Sequence, residues 1–365
     1  MIENKMTDGR DKNLKAIKFS LGFIVLVIIV VILITLKEIL IPITIAIFLT
    51  FLYHPLLILL QTRLKIPKFL ALILIFLLNF AVFYLVGLIF FSSFGSFSTR
   101  MEYYGEKLSS IIQDILSPFN LTLVELGRFL GFQAQKFDAG LLLQKLFKAG
   151  IIQSFFSSFS NLLGNFFIVM LFWIFMIMGK QQFEERLKIA FAFRSTDPEK
   201  YISSINDQLQ SYLIIKTLVS LATGITFTII LTIFGIDFAI IWGLLAFILN
   251  YIPNIGSLLA TIFPILIALL DLGFGFASIS VALLLLIAQN IFGNVIEPKY
   301  LGKKMDLSPV FILISLIFWG WIWGIVGMFL AVPICSLIKI LCSNIESLKP
   351  IAVIIGSKAE PLKNS

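Results

Sequence analysis

Six runs of apolar residues stand out along the chain, at about 17–36, 39–60, 69–91, 158–179, 211–235 and 275–295. Each approaches or exceeds the ~20 residues that a helix needs to cross a ~30 Å hydrocarbon layer, so each predicts a membrane-spanning helix. The first begins near Ile17 behind a polar stretch and lacks a small-residue cleavage site, so it reads as a span rather than a signal peptide. Lys37-Glu38 predicts a tight hairpin between the first two spans. Residues 92–157 follow a different pattern, with charged residues interleaved among apolar ones at helical spacing. Met101, Tyr104, Leu108, Ile111 and Ile115 share one helical face, and Ser117-Pro118 predicts a break before a second amphipathic stretch at about 121–148. This insert is expected on the membrane surface or against a neighbouring subunit.

Two further runs, 238–271 and 307–343, do not fit single spans. As one helix, the first would be ~50 Å long. It is interrupted at Pro253 and Gly256, and the second at Gly320, Gly324 and Gly327. Long tilted helices, kinked spans and re-entrant hairpins all fit the lengths. Loop charge favours two hairpins. A single crossing at 238–271 would leave Lys299, Lys303 and Lys304 outside, whereas a hairpin entering and leaving on the outer side returns them to the cytoplasm. The second run must then dip in from the cytoplasmic side. The two runs also share a pattern, IWG (241–243) with IGSLLATIFP (255–264) and FWG (318–320) with VGMFLAVP (326–333). A span plus hairpin, repeated in inverted sense, is the layout of many secondary transporters.

Composition agrees with the pattern. The 365 residues are 59% hydrophobic and 13% charged, which excludes a soluble domain in favour of an all-α polytopic membrane protein. The net charge of +8 resides mostly in tails and short loops. Lys5, Arg10, Lys12, Lys15 and Lys18 lie at the start, Arg63, Lys65 and Lys68 in the 61–68 loop, and Lys180, Arg186, Lys188, Arg194 and Lys200 within 180–210. These place all three segments in the cytoplasm and the 92–157 insert outside. No basic patch with stacking aromatics points to nucleic acid. Cys335 and Cys342 read as buried free thiols. The resulting order is a cytoplasmic tail (1–16), three spans (17–91), the insert (92–157), a transport core with two broken segments (158–343) and a cytoplasmic tail (344–365).

Candidate chemistry sits where the helices break. Hydrocarbon cannot solvate an exposed backbone, so NYIPNIGS (250–257) implies a polar or wet surrounding. Pro253 removes an N–H, and Asn254 is placed to cap the helix resuming near Gly256. With Asn250 they make a candidate site for a polar solute, or a simple kink held by helix–helix hydrogen bonds. In QNIFGNVIEP (289–298), Asn290, Asn294 and Glu297 form one stripe, and Glu297 either serves ion coupling or pairs with Lys299. Asp237 and Asp271 bracket the first hairpin as further ion-coupling candidates or solvated loop ends. His54 reads as interfacial packing, and Asp306-Leu307-Ser308-Pro309 as a helix start. No metal cluster, catalytic triad, cofactor motif or G-x-x-x-x-G-K-[ST] loop is present in the sequence, so neither an enzyme nor direct ATP drive is expected.

FAIIWGLLAFILNYIPNIGSLLATIFP, QNIFGNVIEPKYLGKKMDLSPV and ISLIFWGWIWGIVGMFLAVP resemble the autoinducer-2 exporter family. The resemblance is dense from about 201 to 345, while the first three spans and the insert agree in order and length. YIPNIG and WGWIWGIVGMFLAVP look most like the branch named for transport of the quorum-sensing signal. This resemblance implies a bacterial inner-membrane protein that exports small polar signals, as a homo-oligomer; pentamers have been described for relatives. Other members resemble sodium–proton antiporters, which keeps that activity open as an alternative.

Overall fold

The computed structural model describes residues 2–119, 121, 125, 151–192, 198–301, 307–343 and 348–357. Most of the second amphipathic stretch, together with Arg194, Lys303, Lys304, Asp306 and most of the C-terminal tail, lies outside the described residues. The described chain is helical: α1 (Ile2–Thr35), α2 (Lys37–Thr62), α3 (Lys68–Leu116), α4 (Ile151–Ala192), α5 (Pro198–Ile233), α6 (Ala239–Leu249), α7 (Ile255–Leu272), α8 (Phe276–Asn290), α9 (Glu297–Leu301), α10 (Pro309–Ser343) and α11 (Lys349–Ile355). A π-helical turn, Ile291–Ile296, joins α8 to α9. All six expected spans are helices, and by length and apolarity seven described helices could cross a bilayer. The chain is an all-α polytopic membrane protein. It divides into two compact units, Met1–Leu49 with Leu307–Ser365, and Thr50–Asp306.

In the first unit the expected hairpin at Lys37-Glu38 is replaced by a joint one residue wide. Leu36 N–H donates to Ile32 O, and Leu40 N–H donates to Leu36 O, so helical bonding resumes at once on either side. The Leu33 carbonyl beside the joint accepts a bond from the Trp323 indole N–H at 3.0 Å. α10 starts at Pro309 as expected, because proline gives up an N–H that has no helical partner there. It then folds back on itself. Gly324 adopts φ 63°, ψ −145°, a conformation open to glycine alone, and the chain reverses there. Ser315 Oγ donates to Ala331 O at 3.2 Å, although the two lie 16 residues apart, which a straight helix would place about 24 Å apart. A Cβ on Gly327 would overlap the Trp319 carbonyl, so only glycine lets the arms meet. The 35 residues are therefore one hairpin, broken at Gly324 rather than at all three glycines. Cys335 and Cys342 are buried free thiols in its second arm.

The second unit contains the other hairpin, α6–α7. Its tip is the interrupted stretch of the sequence, where Tyr251 and Ile252 N–H close tight turns onto Ile248 and Leu249. Its ends meet at the mouth, where Asp237 N–H donates to Asp271 Oδ2 at 3.0 Å. One arm is 11 residues and the other 18, about 16 Å and 27 Å, so the first is too short to cross a bilayer and the second only just reaches. Gly224 on α5 and Gly243 on α6 face each other so closely that a Cβ on either would overlap the neighbouring helix. Small residues at such contacts let membrane helices approach without a hydrophobic drive from water. Phe227, Leu231, Ala246, Ala260, Val281 and Leu285 close the core among α5, α6, α7 and α8.

α3 departs from expectation. It runs unbroken for 49 residues, about 74 Å, so the first half of the insert is a helical continuation of the third span rather than a separate surface helix. Its break does fall at Ser117-Pro118. Tyr104 on the expected apolar face is buried against the mouth of the α6–α7 hairpin in the same unit.

Candidate functional site

The broken tip borders a half-open cavity of about 370 Å³. Three elements build it: the hairpin tip with the start of α7, the end of α8 with the π turn, and the middle of α5. Asn250, Pro253, Asn254, Asn290, Asn294 and Glu297 all line it, so six of the residues singled out in the sequence meet around one space. Gly256 does not face the cavity. It packs beneath the tip, where a Cβ would overlap the Leu249 carbonyl oxygen, and so holds the two arms together.

Local chemistry explains the tip. Pro253 cannot donate to a helical partner, and Asn254, at φ 60° and ψ −57°, is the centre of a strained γ-turn closed by Ile255 N–H donating to Pro253 O at 2.6 Å. Asn254 does stand at the N-terminus of α7, but its side chain makes no cap bond. Its backbone carbonyl accepts from Leu258 N–H and Ser257 Oγ–H, and the exposed residue lines the cavity. Asn250, by contrast, is buried: its Nδ2 donates to Ser220 Oγ at 3.0 Å and its Oδ1 accepts from Gln289 Nε2 at 3.3 Å. Gln289 Oε1 is buried without a hydrogen-bond partner. A buried acceptor left unmade is costly, and this one belongs to a residue that lines the cavity.

The π turn has an equally local cause. Pro298 has no N–H to offer Asn294 O, and Glu297 N–H reaches back five residues to Phe292 O. Within the widened turn Asn294 Nδ2 donates to Asn290 Oδ1 at 2.8 Å, and Asn290 Nδ2 donates to Leu286 O at 2.9 Å. Glu297 does not pair with Lys299. Its two oxygens accept from Lys216 Nζ at 2.7 Å and 2.8 Å. Lys216 is 4% exposed on α5, and next to it Thr217 Oγ1 accepts from Tyr251 OH at 2.7 Å.

Lys216 and Gln289 were not singled out in the sequence. The available signal for Lys216 was a lone lysine inside YLIIKTLVS, since an ionisable residue within a span is costly unless paired. Gln289 belongs to the quoted QNIFGNVIEP motif, but its amide acquires meaning only opposite Asn250.

Asp237 and Asp271 are not part of this constellation. They lie at the hairpin mouth, separated from the tip by the length of α7. Asp237 accepts from the Arg100 guanidinium and, at 2.8 Å, from Tyr104 OH. The carboxylate raises the Arg100 pKa above its ordinary value. Burial, with Asp237 and Asp271 adding to it, pushes the Tyr104 phenol well up. Among the described residues no group of three or more His, Cys, Asp or Glu could hold a metal.

A family model described as "AI-2E family transporter" matches residues 23–347. A protein of Borreliella burgdorferi, named as a candidate transport protein, is 32% identical over 333 residues, covering 88% of this chain and 86% of the relative. A similarly named protein of Haemophilus influenzae is 33% identical over 330 residues, covering 87% and 90%. The AI-2 transport protein TqsA of Escherichia coli K12 is 37% identical over 206 residues, 56% of this chain and 59% of that protein.

Proposed function

The chain belongs to the AI-2E transporter family, and from that premise we propose that this multi-pass membrane transporter exports a small, neutral, hydroxylated solute, autoinducer-2 or a close chemical relative, across the bacterial inner membrane. The observation that carries this reading is the set of side-chain amides, Asn250, Asn254, Gln289, Asn290 and Asn294, around the cavity at the broken tip. An amide both donates and accepts, so it can replace the water around a hydroxyl without asking the solute to shed a charge. Gln289 Oε1, buried without a partner at the cavity wall, is a further acceptor that a small side-chain rotation would present to a hydroxyl. At about 370 Å³ the cavity lies in the range of small-molecule sites, roughly 300–1,000 Å³.

Sidedness adds to the reading. With the Arg63, Lys65 and Lys68 loop in the cytoplasm, α3 ends outside, and Arg100 and Tyr104 carry the hairpin mouth to the same side. The tip then points inward and the cavity opens toward the cytoplasm, with the hairpin between solute and exterior. The homo-oligomer rests on the family resemblance.

A sodium–proton antiporter is the second reading, because a carboxylate, Glu297, does line the cavity. Against it, Lys216 already occupies both oxygens. Inverted vesicles decide between them. Accumulation of labelled autoinducer-2 that falls at least tenfold in Asn254→Leu with Asn294→Leu supports the first reading. Failure of wild-type vesicles to accumulate the solute removes it as the substrate, and indifference to the double substitution removes the site. Sodium-dependent proton flux lost in Glu297→Gln promotes the antiporter.

A further inference from the structure

Lys216 and Glu297 are not exposed alike: the lysine side chain is 5% accessible and the carboxylate 18%. Both residues line the cavity, Lys216 from the α5 side, and the carboxylate is the more exposed of the two. One nitrogen bridges both oxygens almost symmetrically, which is where a bare monovalent cation would sit on a carboxylate. Asn290 and Asn294, whose amide oxygens are cation-binding groups, line the same space. The π turn and Pro298 set the backbone that carries Glu297 at this point.

We propose that Lys216 is a tethered counter-cation, filling a monovalent-cation site on Glu297 and so making the cavity reject free cations and admit neutral solutes. Lysine is then a specificity-determining residue: with it, the carboxylate is neutralised from within the protein; without it, the same carboxylate must recruit a cation from the cavity. The inference does not depend on which solute is carried, because its test reads cation binding rather than export.

The test is thermal unfolding of the purified full chain in choline, sodium, lithium or potassium chloride at equal ionic strength. Wild type is expected to unfold at one midpoint in all four salts. Lys216→Gln is expected to gain about 2–4 °C in at least one alkali salt over choline, the shift of a site held near tenfold saturation. Lys216→Gln with Glu297→Gln is expected to lose that gain. Cation dependence in wild type, its absence in Lys216→Gln, or its persistence in the double variant overturns the proposal. Should Lys216→Gln fail to fold, the exchanged pair, Lys216→Glu with Glu297→Lys, decides. The proposal requires that it fold and stay indifferent to the cation, and either failure overturns it.

Discussion

Gly256→Ala tests whether the hairpin tip is held by backbone-to-backbone contact. The added Cβ would overlap Leu249 O, and would lie 2.8 Å from Leu249 C and 2.9 Å from Ile252 Cβ. Real Cβ contacts essentially never fall below 3.0 Å, and the obstructing atoms are mainly backbone, which cannot rotate away. The arms must therefore part by on the order of 1 Å, a strain that costs about 1–3 kcal/mol in a packed interior. Because the obstructing carbonyl is backbone, we expect the upper end, and a fall of roughly 4 °C in the unfolding midpoint of a chain this long. Gly179→Ala is the control, since nothing lies within 4 Å of a Cβ there. It should leave the midpoint unchanged or raise it slightly, because alanine favours a helix over glycine. The assay is thermal unfolding in detergent beside solute accumulation in vesicles. A Gly256→Ala protein matching the Gly179→Ala control in both would refute the close-packed tip.

Three further outcomes are expected. Gly324→Ala should cost about 1–3 kcal/mol, read as a lower midpoint, because an L side chain is strained at φ 63°; an unchanged midpoint would mean the reversal does not occur there. For Tyr104 the folded-state pKa lies above its ordinary 10.0, so its contribution is complete below that value and fades as pH climbs past it. Tyr104→Phe should give up about 0.5–1.5 kcal/mol at neutral pH and then lose less stability than wild type between pH 9 and 11, and parallel curves in unfolding titrations would contradict this. In a cysteine-free background, single cysteines at Leu272 and Lys299 should label from outside and from the cytoplasm respectively; the reverse pattern would invert the topology.

Much of the architecture is written locally, and for that reason it was legible. The runs of apolar residues mark the spans because membrane helices must satisfy their own backbone and match the bilayer. Both hairpins were visible because Pro253, Asn254 and Gly324 act on their own dihedral angles, and because the run lengths are wrong for one crossing. Even the cavity was foreshadowed, since amides beside a helix break need a polar surrounding. Other expectations failed for equally physical reasons. Leu36 turned out to be the joint, its position set in part by the Trp323 bond to Leu33 O, a contact 290 residues distant in sequence. Asn254 stands where a cap belongs, yet its side chain makes no cap bond and the residue lines the cavity instead. The insert looked separable because its composition changes at 92, but composition alone does not bend a helix, and α3 runs on.

What the chain determined by itself is the set of helices, their breaks and the polar residues at those breaks, all consequences of backbone chemistry and hydrophobic length. Tertiary structure alone decided the partners. Lys216 meets Glu297 across 81 residues, Gln289 meets Asn250 across 39, and Arg100 meets Asp237 across 137. Such pairs depend on how each helix is rotated and how closely two helices approach, and on the π turn that precedes Glu297. A one-dimensional pattern of polar and apolar positions carries the face of a helix, but not the face it is turned toward.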